Sequence, residues 1–224
     1  MLFRSVAEAL DEISTELEAA VKAKKDFNSS LQKILQNIIK KHKRVVYNGD
    51  NYTAEWHAEA KKRGLPNMKS TPESLQVLKV EKNIRVLEKH GVLSRKELAS
   101  RYEIYKHGYD TVTQLEGNCA STIARTEIIP AAIKFQKELA ETIKTVGSSG
   151  KTTGSKKLLK EISGLIEEAL ACADTLDASL EKHDSAKTNA AMSALRSAVD
   201  GLEGVVPAEY WPLPSYAEML LMNY

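Results

Sequence analysis

Apolar residues recur every three or four positions along most of the chain, the spacing of one helix face. Val6, Leu10, Ile13, Leu17 and Val21 set the pattern, with Glu8, Asp11, Glu12 and Glu16 on the opposite side, which predicts an amphipathic helix. Residues 24–28 end it, and Ser29 with Gln32 reads as a capping box for a second helix. Leu31, Ile34, Leu35, Ile38 and Ile39 are its expected buried stripe, and the basic run 40–44 complements its C-terminal dipole. Residues 45–52 are expected to be extended or β-like, closed by an Asn-Gly turn. Thr53 caps a short helix that stops at Gly64, ahead of Pro66. Ser70 and Thr71 precede Pro72 and Glu73 at another helix start, whose face Leu75, Leu78, Ile84, Leu87 runs to His90-Gly91.

Ser94 and Glu97 form a further capping box, and the helical spacing then persists to about Val146. Leu98, Tyr102, Tyr105, Tyr109, Val112, Leu115, Cys119, Ile123, Ile129 and Ile133 make one stripe, which predicts that the three tyrosines belong to a core. Unbroken, this helix would extend about 80 Å, and Pro130 is expected to kink it. After a Gly/Ser/Thr linker at 147–155, a long helix carries Leu158, Ile162, Leu165, Ile166, Leu170, Cys172, Leu176 and Leu180. Asp184 caps its partner, with Ala190, Met192, Leu195, Val199 and Leu202 inward, so that 156–205 reads as an antiparallel hairpin. Prolines extend the tail, and Ser215 caps a last turn or two over 216–222. The expected class is all-α.

Composition narrows the function classes. The chain has 224 residues, 42% hydrophobic and 28% charged, with a net charge of +2. That balance points to neither a nucleic-acid nor a membrane partner. No apolar run reaches the roughly 20 residues of a membrane span. Cys119 and Cys172 have no metal-type spacing and make no disulfide framework, which fits a reducing cytoplasm. The first residues run straight into a helix, so the chain is expected to be the tail of a longer protein.

Candidate chemistry is thin. Gly147-Ser-Ser-Gly150-Lys151-Thr152 resembles half of a phosphate-binding loop, but Thr145 stands where the first glycine belongs and a helix enters where a strand is required. The histidines at 42, 57, 90, 107 and 183 form no metal-ligand pair. Carboxylates are scattered among lysines at salt-bridge spacing, with no acid/base pair marked. The run Lys40 to Arg44 has no aromatic interleaving of the nucleic-acid kind. No catalytic, cofactor-binding or metal residue is expected in this chain.

HKRVVYNGDNYTAEWHAEAKKRGLPNMKST at 42–71 nevertheless resembles the C-terminal region of type III glutamine synthetase, a long form of that enzyme found in many bacteria. EKNIRVLEKHGVLSRKELASRYEIY at 81–105, ARTEIIPAAIKFQ at 124–136 and YWPLPSYAEMLL at 210–221 follow in the family's order. VAEALDEISTELE at 6–18 resembles the segment after the family's catalytic barrel, while 147–205 matches only in character. The resemblance implies a parent enzyme that uses ATP and Mg to ligate ammonia to glutamate, in stacked hexameric rings. The family's metal-binding glutamates and Asn-Arg motif have no counterpart here. The implied identity is one helical C-terminal domain over 1–224: a helical core at 6–146 with a docking segment at 42–71, then the linker, the hairpin and a tail from 206. Tyr47, Tyr52, Trp56 and Trp211 are the candidate interaction residues, with Trp211 expected to pack back on the bundle. The expected partners are the catalytic barrel of the same polypeptide and further subunits. The alternative is a free-standing helical adaptor or oligomerisation module without activity.

Overall fold

The computed structural model describes residues 2–148 and 150–221, with side chains from Ser5 onward. The described residues contain helices and no strand. They fall into two compact units, 1–107 and 108–224, with the division inside one long helix.

In the first unit, α1 (Leu2–Lys22) is followed by α2 (Phe27–His42). Asp26, not Ser29, is the N-cap of α2: its carboxylate accepts from the Ser29 N–H at 2.8 Å. A carboxylate is a capping acceptor that also answers the helix dipole, so α2 begins three residues before the capping box expected from Ser29 and Gln32. The expected buried stripe is also corrected. Only Ile34 is buried; Leu35 and Ile39 are exposed, as are Val6, Leu10 and Val21 on α1. Residues 45–52 form no strand. Lys43–Val45 is a turn of 3-10 helix, and Val46 after it is extended. Next come α3 (Ala54–Lys62), α4 (Thr71–Leu75), a 3-10 segment at Gln76–Lys79, and α5 (Glu81–Lys89). The helix expected from 71 to 90 is therefore interrupted. Val80 is extended, and the Asn83 side chain donates to the Val77 carbonyl at 2.8 Å, capping the turn instead of continuing it.

Gly91, at φ 61°, ends α5, with the Val92 N–H on the Leu87 carbonyl at 2.9 Å. The core here is small: Ile84, Leu87 and Leu98, with Leu78, Val92 and Leu93 against them. Polar clamps supplement it. Lys89 bridges Asp11 at 2.6 Å and Glu8 at 3.0 Å, and His90 Nε2 lies 2.7 Å from Glu8. Glu81 accepts from both Arg95 and Arg85, which hold its carboxyl down at about 2.

α6 (Arg95–Ile123) starts at the expected Ser94–Glu97 box, with reciprocal bonds of 2.8 and 3.3 Å. It passes into a π-helical stretch at Ala124–Ile128 and then α7 (Ile129–Val146). Pro130, in the first turn of α7, has no N–H and crowds the preceding carbonyls, and the wider turn just before it absorbs this. The α6 stripe is the largest correction. Tyr102 is buried, but Tyr105, Val112, Leu115, Cys119 and Ile133 are exposed. The second unit instead buries Thr113, Gly117, Ser121 and Ala124 from this helix. These small residues face α8 (Thr153–Glu181) and α9 (Ser185–Glu203), the expected hairpin, capped by Asp184 on the Lys187 N–H at 3.1 Å. α9 buries Ala191, Leu195, Ala198 and Leu202; the expected Ala190 is exposed. The linker is shorter than 147–155, since α8 begins at Thr153, and Ser149 lies outside the described residues. The tail leads to α10 (Tyr216–Leu221), capped reciprocally by Ser215 and Glu218; Met222, expected in the same turn, lies outside the described residues.

A Cβ on Gly117 would fall 2.8 Å from Leu180 Cδ2 and 2.9 Å from Thr188 Cγ2, whereas one on Gly108 of the same helix meets nothing within 4 Å. Gly117→Val is expected to destabilise by about 2 kcal/mol through overpacking. Gly108→Ala is expected to stabilise by about 1 kcal/mol through helix propensity. Denaturant unfolding followed by circular dichroism reads both signs.

Because its carboxyl is depressed, the Glu81 contribution is present above the ordinary value of 4.5 and is lost as pH falls toward about 2. Arg95→Ala is expected to flatten the acid limb of the stability–pH curve in that window and to leave the neutral-to-alkaline shape unchanged.

Candidate docking segment

Within residues 42–71, the chain makes a compact feature from its own side chains. Asp50 accepts from the Tyr52 N–H at 2.9 Å and its carbonyl takes the Thr53 hydroxyl at 3.1 Å, forming the turn into α3. Thr53 then caps α3 by accepting from the Trp56 N–H. Gly64, at φ 69°, reverses the chain at the other end, with the Leu65 N–H on the Ala60 carbonyl at 2.9 Å.

Tyr47 and Trp56 are brought together, their rings stacked 4.2 Å apart at 24°. The Arg63 guanidinium lies 5.9 Å from the Tyr47 ring and 5.5 Å from the Trp56 ring. Its Nη1 donates to the Val46 carbonyl at 2.8 Å and the Arg44 carbonyl at 3.3 Å, while Nε binds Glu59 at 2.8 Å. That bond holds the Glu59 carboxyl below its ordinary value. Arg63 thus fastens the loop to α3. Gly49 is required under the stack, because a Cβ there would meet the Tyr47 ring at 2.5 Å. Arg63 went unnoticed in the sequence, where it is one cation among Lys61, Lys62 and Arg63. Its position just past a capped helix, before a C-terminal glycine, was the available signal.

Tyr52 does not join the stack; it is 94% exposed. Trp211 belongs to the second unit, where it packs with Tyr210 against that unit's core. Tyr210 also leans on Phe135 at 5.7 Å and bonds Glu138. The glycine-lysine loop is entered by α7, a helix, where a phosphate-binding loop requires a strand. Among the described residues, no group of three His, Cys, Asp or Glu side chains could hold a metal ion. The paired carboxylates belong to clamps: Arg125 bridges Asp174 at 2.6 Å and Asp177 at 2.7 Å, and Ser121 donates to Asp177 at 2.6 Å. No helix among them is long and apolar enough to cross a membrane. What the 42–71 feature offers is a pre-shaped surface with Val45, Val46 and Tyr52 exposed.

Comparison with known proteins places that surface in a family. The model of the glutamine synthetase C-terminal domain matches residues 30–147, from within α2 to the end of α7. The type-3 glutamine synthetase of Dictyostelium discoideum is 31% identical over 97% of this chain and 32% of its own length. A glutamine synthetase of Butyrivibrio fibrisolvens is 28% identical over 87% of the chain and 30% of its length. Another, from Bacteroides fragilis, is 26% identical over 96% and 32%. The chain spans about a third of the length of these relatives. On the family match over more than half of its residues, the chain belongs to the glutamine synthetase C-terminal domain family.

Proposed function

We propose that this chain is the non-catalytic helical C-terminal region of a glutamine synthetase. The parent reaction joins ammonia to glutamate with ATP, giving glutamine, ADP and phosphate. The region braces the catalytic barrel of the same polypeptide and supports subunit assembly. The observation that carries this reading is the family match over residues 30–147, extended by likeness over 97% of the chain to a third of a type-3 glutamine synthetase. ATP and Mg are assigned to the barrel, not to side chains of this region. The proposed location is the cytoplasm, where the two free cysteines would stay reduced.

The exposed apolar residues of α1, α2 and the 42–71 feature support a bracing role. Large apolar side chains in such numbers on a helix face are unusual on a finished surface and suit contact with another domain. A free-standing adaptor would use the same faces, so the two readings separate in an activity and assembly experiment.

Expressed alone, the chain is expected to release no phosphate from ATP in dependence on glutamate and ammonia; turnover by the isolated chain would overturn the reading. In the full-length enzyme, Tyr52→Ala is expected to leave thermal stability unchanged and to weaken assembly about tenfold by sedimentation velocity. Trp56→Ala is expected to do the same and also to lower stability by about 1–2 kcal/mol through loss of the stack. Unchanged assembly and activity in both variants would favour the adaptor.

A further inference from the structure

Two basic stretches that are separate in sequence meet in the structure. By donating to the carbonyls of Val46 and Arg44, Arg63 sets the end of α3 beside the turn that follows α2. Lys40, Lys41, Lys43, Arg44, Lys61 and Lys62 are thereby gathered, and all are exposed. None of these six makes a salt bridge among the described residues, although Lys89, Arg95, Arg125, Lys187 and others elsewhere do. Two helix C-termini lie here, and their carbonyls supply about half a negative charge each. Glu59 also acts on Lys62, but it is bound to Arg63 and the two cancel, so roughly one negative charge against six cations leaves most of the charge unanswered. In a chain whose net charge is only +2, that concentration is local and strong.

Apolar groups share the patch. Ile39 on α2, Val45 and Val46 in the turn, and Tyr52 beyond it are exposed to 65%, 56%, 61% and 94%. Apolar residues bordered by charge are the composition of a protein interface, with a dry centre and a polar rim. A nucleic-acid backbone offers nothing to match isoleucine and valine. A small phosphate needs convergent donors fixed in place, which six flexible exposed side chains do not supply.

We infer that this patch receives an acidic protein surface with an apolar centre, its carboxylates meeting the six cations around Val45, Val46 and Tyr52. The inference rests on reading residues 42–71 as a docking element and specifies the chemistry of what docks. Its electrostatic share speeds encounter and fixes register, and the apolar share holds the complex.

The test uses the full-length enzyme carrying Lys40→Glu/Lys43→Glu/Lys61→Glu, beside Val45→Ser/Val46→Ser and a control reversal at Lys137, Lys156 and Lys160. Circular dichroism checks folding, and sedimentation velocity at 50 to about 500 mM KCl reads assembly. Expected is at least about tenfold weaker association in the patch reversal at low salt, with its salt dependence flattened, and no change in the control. If the valine variant weakens assembly and the reversal does not, docking stands and the acidic partner is overturned. If neither variant has an effect, the docking reading itself fails and takes the inference with it. Binding of a labelled single-stranded oligonucleotide at about 150 mM KCl, abolished by the reversal while assembly is intact, would overturn it in favour of nucleic acid.

Discussion

Packing in the second unit depends on residues with almost no side chain. Ala132, Ala169 and Ala173 are wholly buried, with Ala191, Ala198 and Gly117 nearly so. They alternate with Ile162, Ile166, Leu176, Leu195 and Leu202, so that large groups from one helix enter space left by small ones on another. The space at Gly117 is already filled to contact distance by Leu180 and Thr188. Such an approach brings hydroxyls inside, and these are satisfied locally: Ser179 donates to the Leu176 carbonyl at 2.7 Å and lies 3.2 Å from the Thr188 hydroxyl. A core built this way sets large apolar side chains such as Ile128, Phe135 and Leu176 among six buried alanines and gains its density from fit.

The first unit is held differently. Its core cluster is Ile84, Leu87 and Leu98, with Ile34, Ala60 and Tyr102 buried outside it, and its ties are ion pairs at the surface, Lys89 to Glu8 and Asp11, Arg95 and Arg85 to Glu81. Exposed pairs contribute about 0–1 kcal/mol each, while covering one large apolar side chain contributes about 1.5–3 kcal/mol. Val6, Leu10, Val21, Phe27, Leu35 and Ile39 all remain uncovered. The stabilisation still available from covering these faces therefore exceeds what the clamps provide. A unit with that imbalance gains more from a partner than from improvement of its own contacts.

Capping was the most legible part of the sequence. Thr53, Ser70, Ser94, Asp184 and Ser215 all cap as their spacing implied, because a cap is decided within four residues. Ser29 failed for the same local reason, since Asp26 stood three residues earlier as the stronger competitor. Burial was less legible. Periodicity finds an apolar face but not whether anything covers it, so the expected α2 stripe is buried only at Ile34 and the α1 face stays exposed at Val6, Leu10 and Val21. On α6 the inward side was chosen by closeness of approach, and Thr113, Gly117 and Ser121 went in while Val112 and Leu115 stayed out. Of the candidate site residues, the Tyr47–Trp56 pair could be named, but its dependence on Arg63 could not, because that contact spans 17 residues without a periodic signal.

The 42–71 feature combines these lessons. Its turns are fixed by Asp50 and Thr53, its reversal needs the left-handed backbone of Gly64, and its ring stack needs the bare Cα of Gly49. Arg63 then ties both ends together with bonds to backbone carbonyls, which survive side-chain substitution elsewhere in the loop. None of these contacts requires a partner. The conformational entropy of ordering the segment is therefore met on folding and is not charged to association. The most exposed parts are the Tyr52 ring, the two valines and the surrounding lysines, and these are what the proposed docking would use. Rigid support beneath exposed aromatic and apolar groups is the arrangement in which a few side chains can dominate binding.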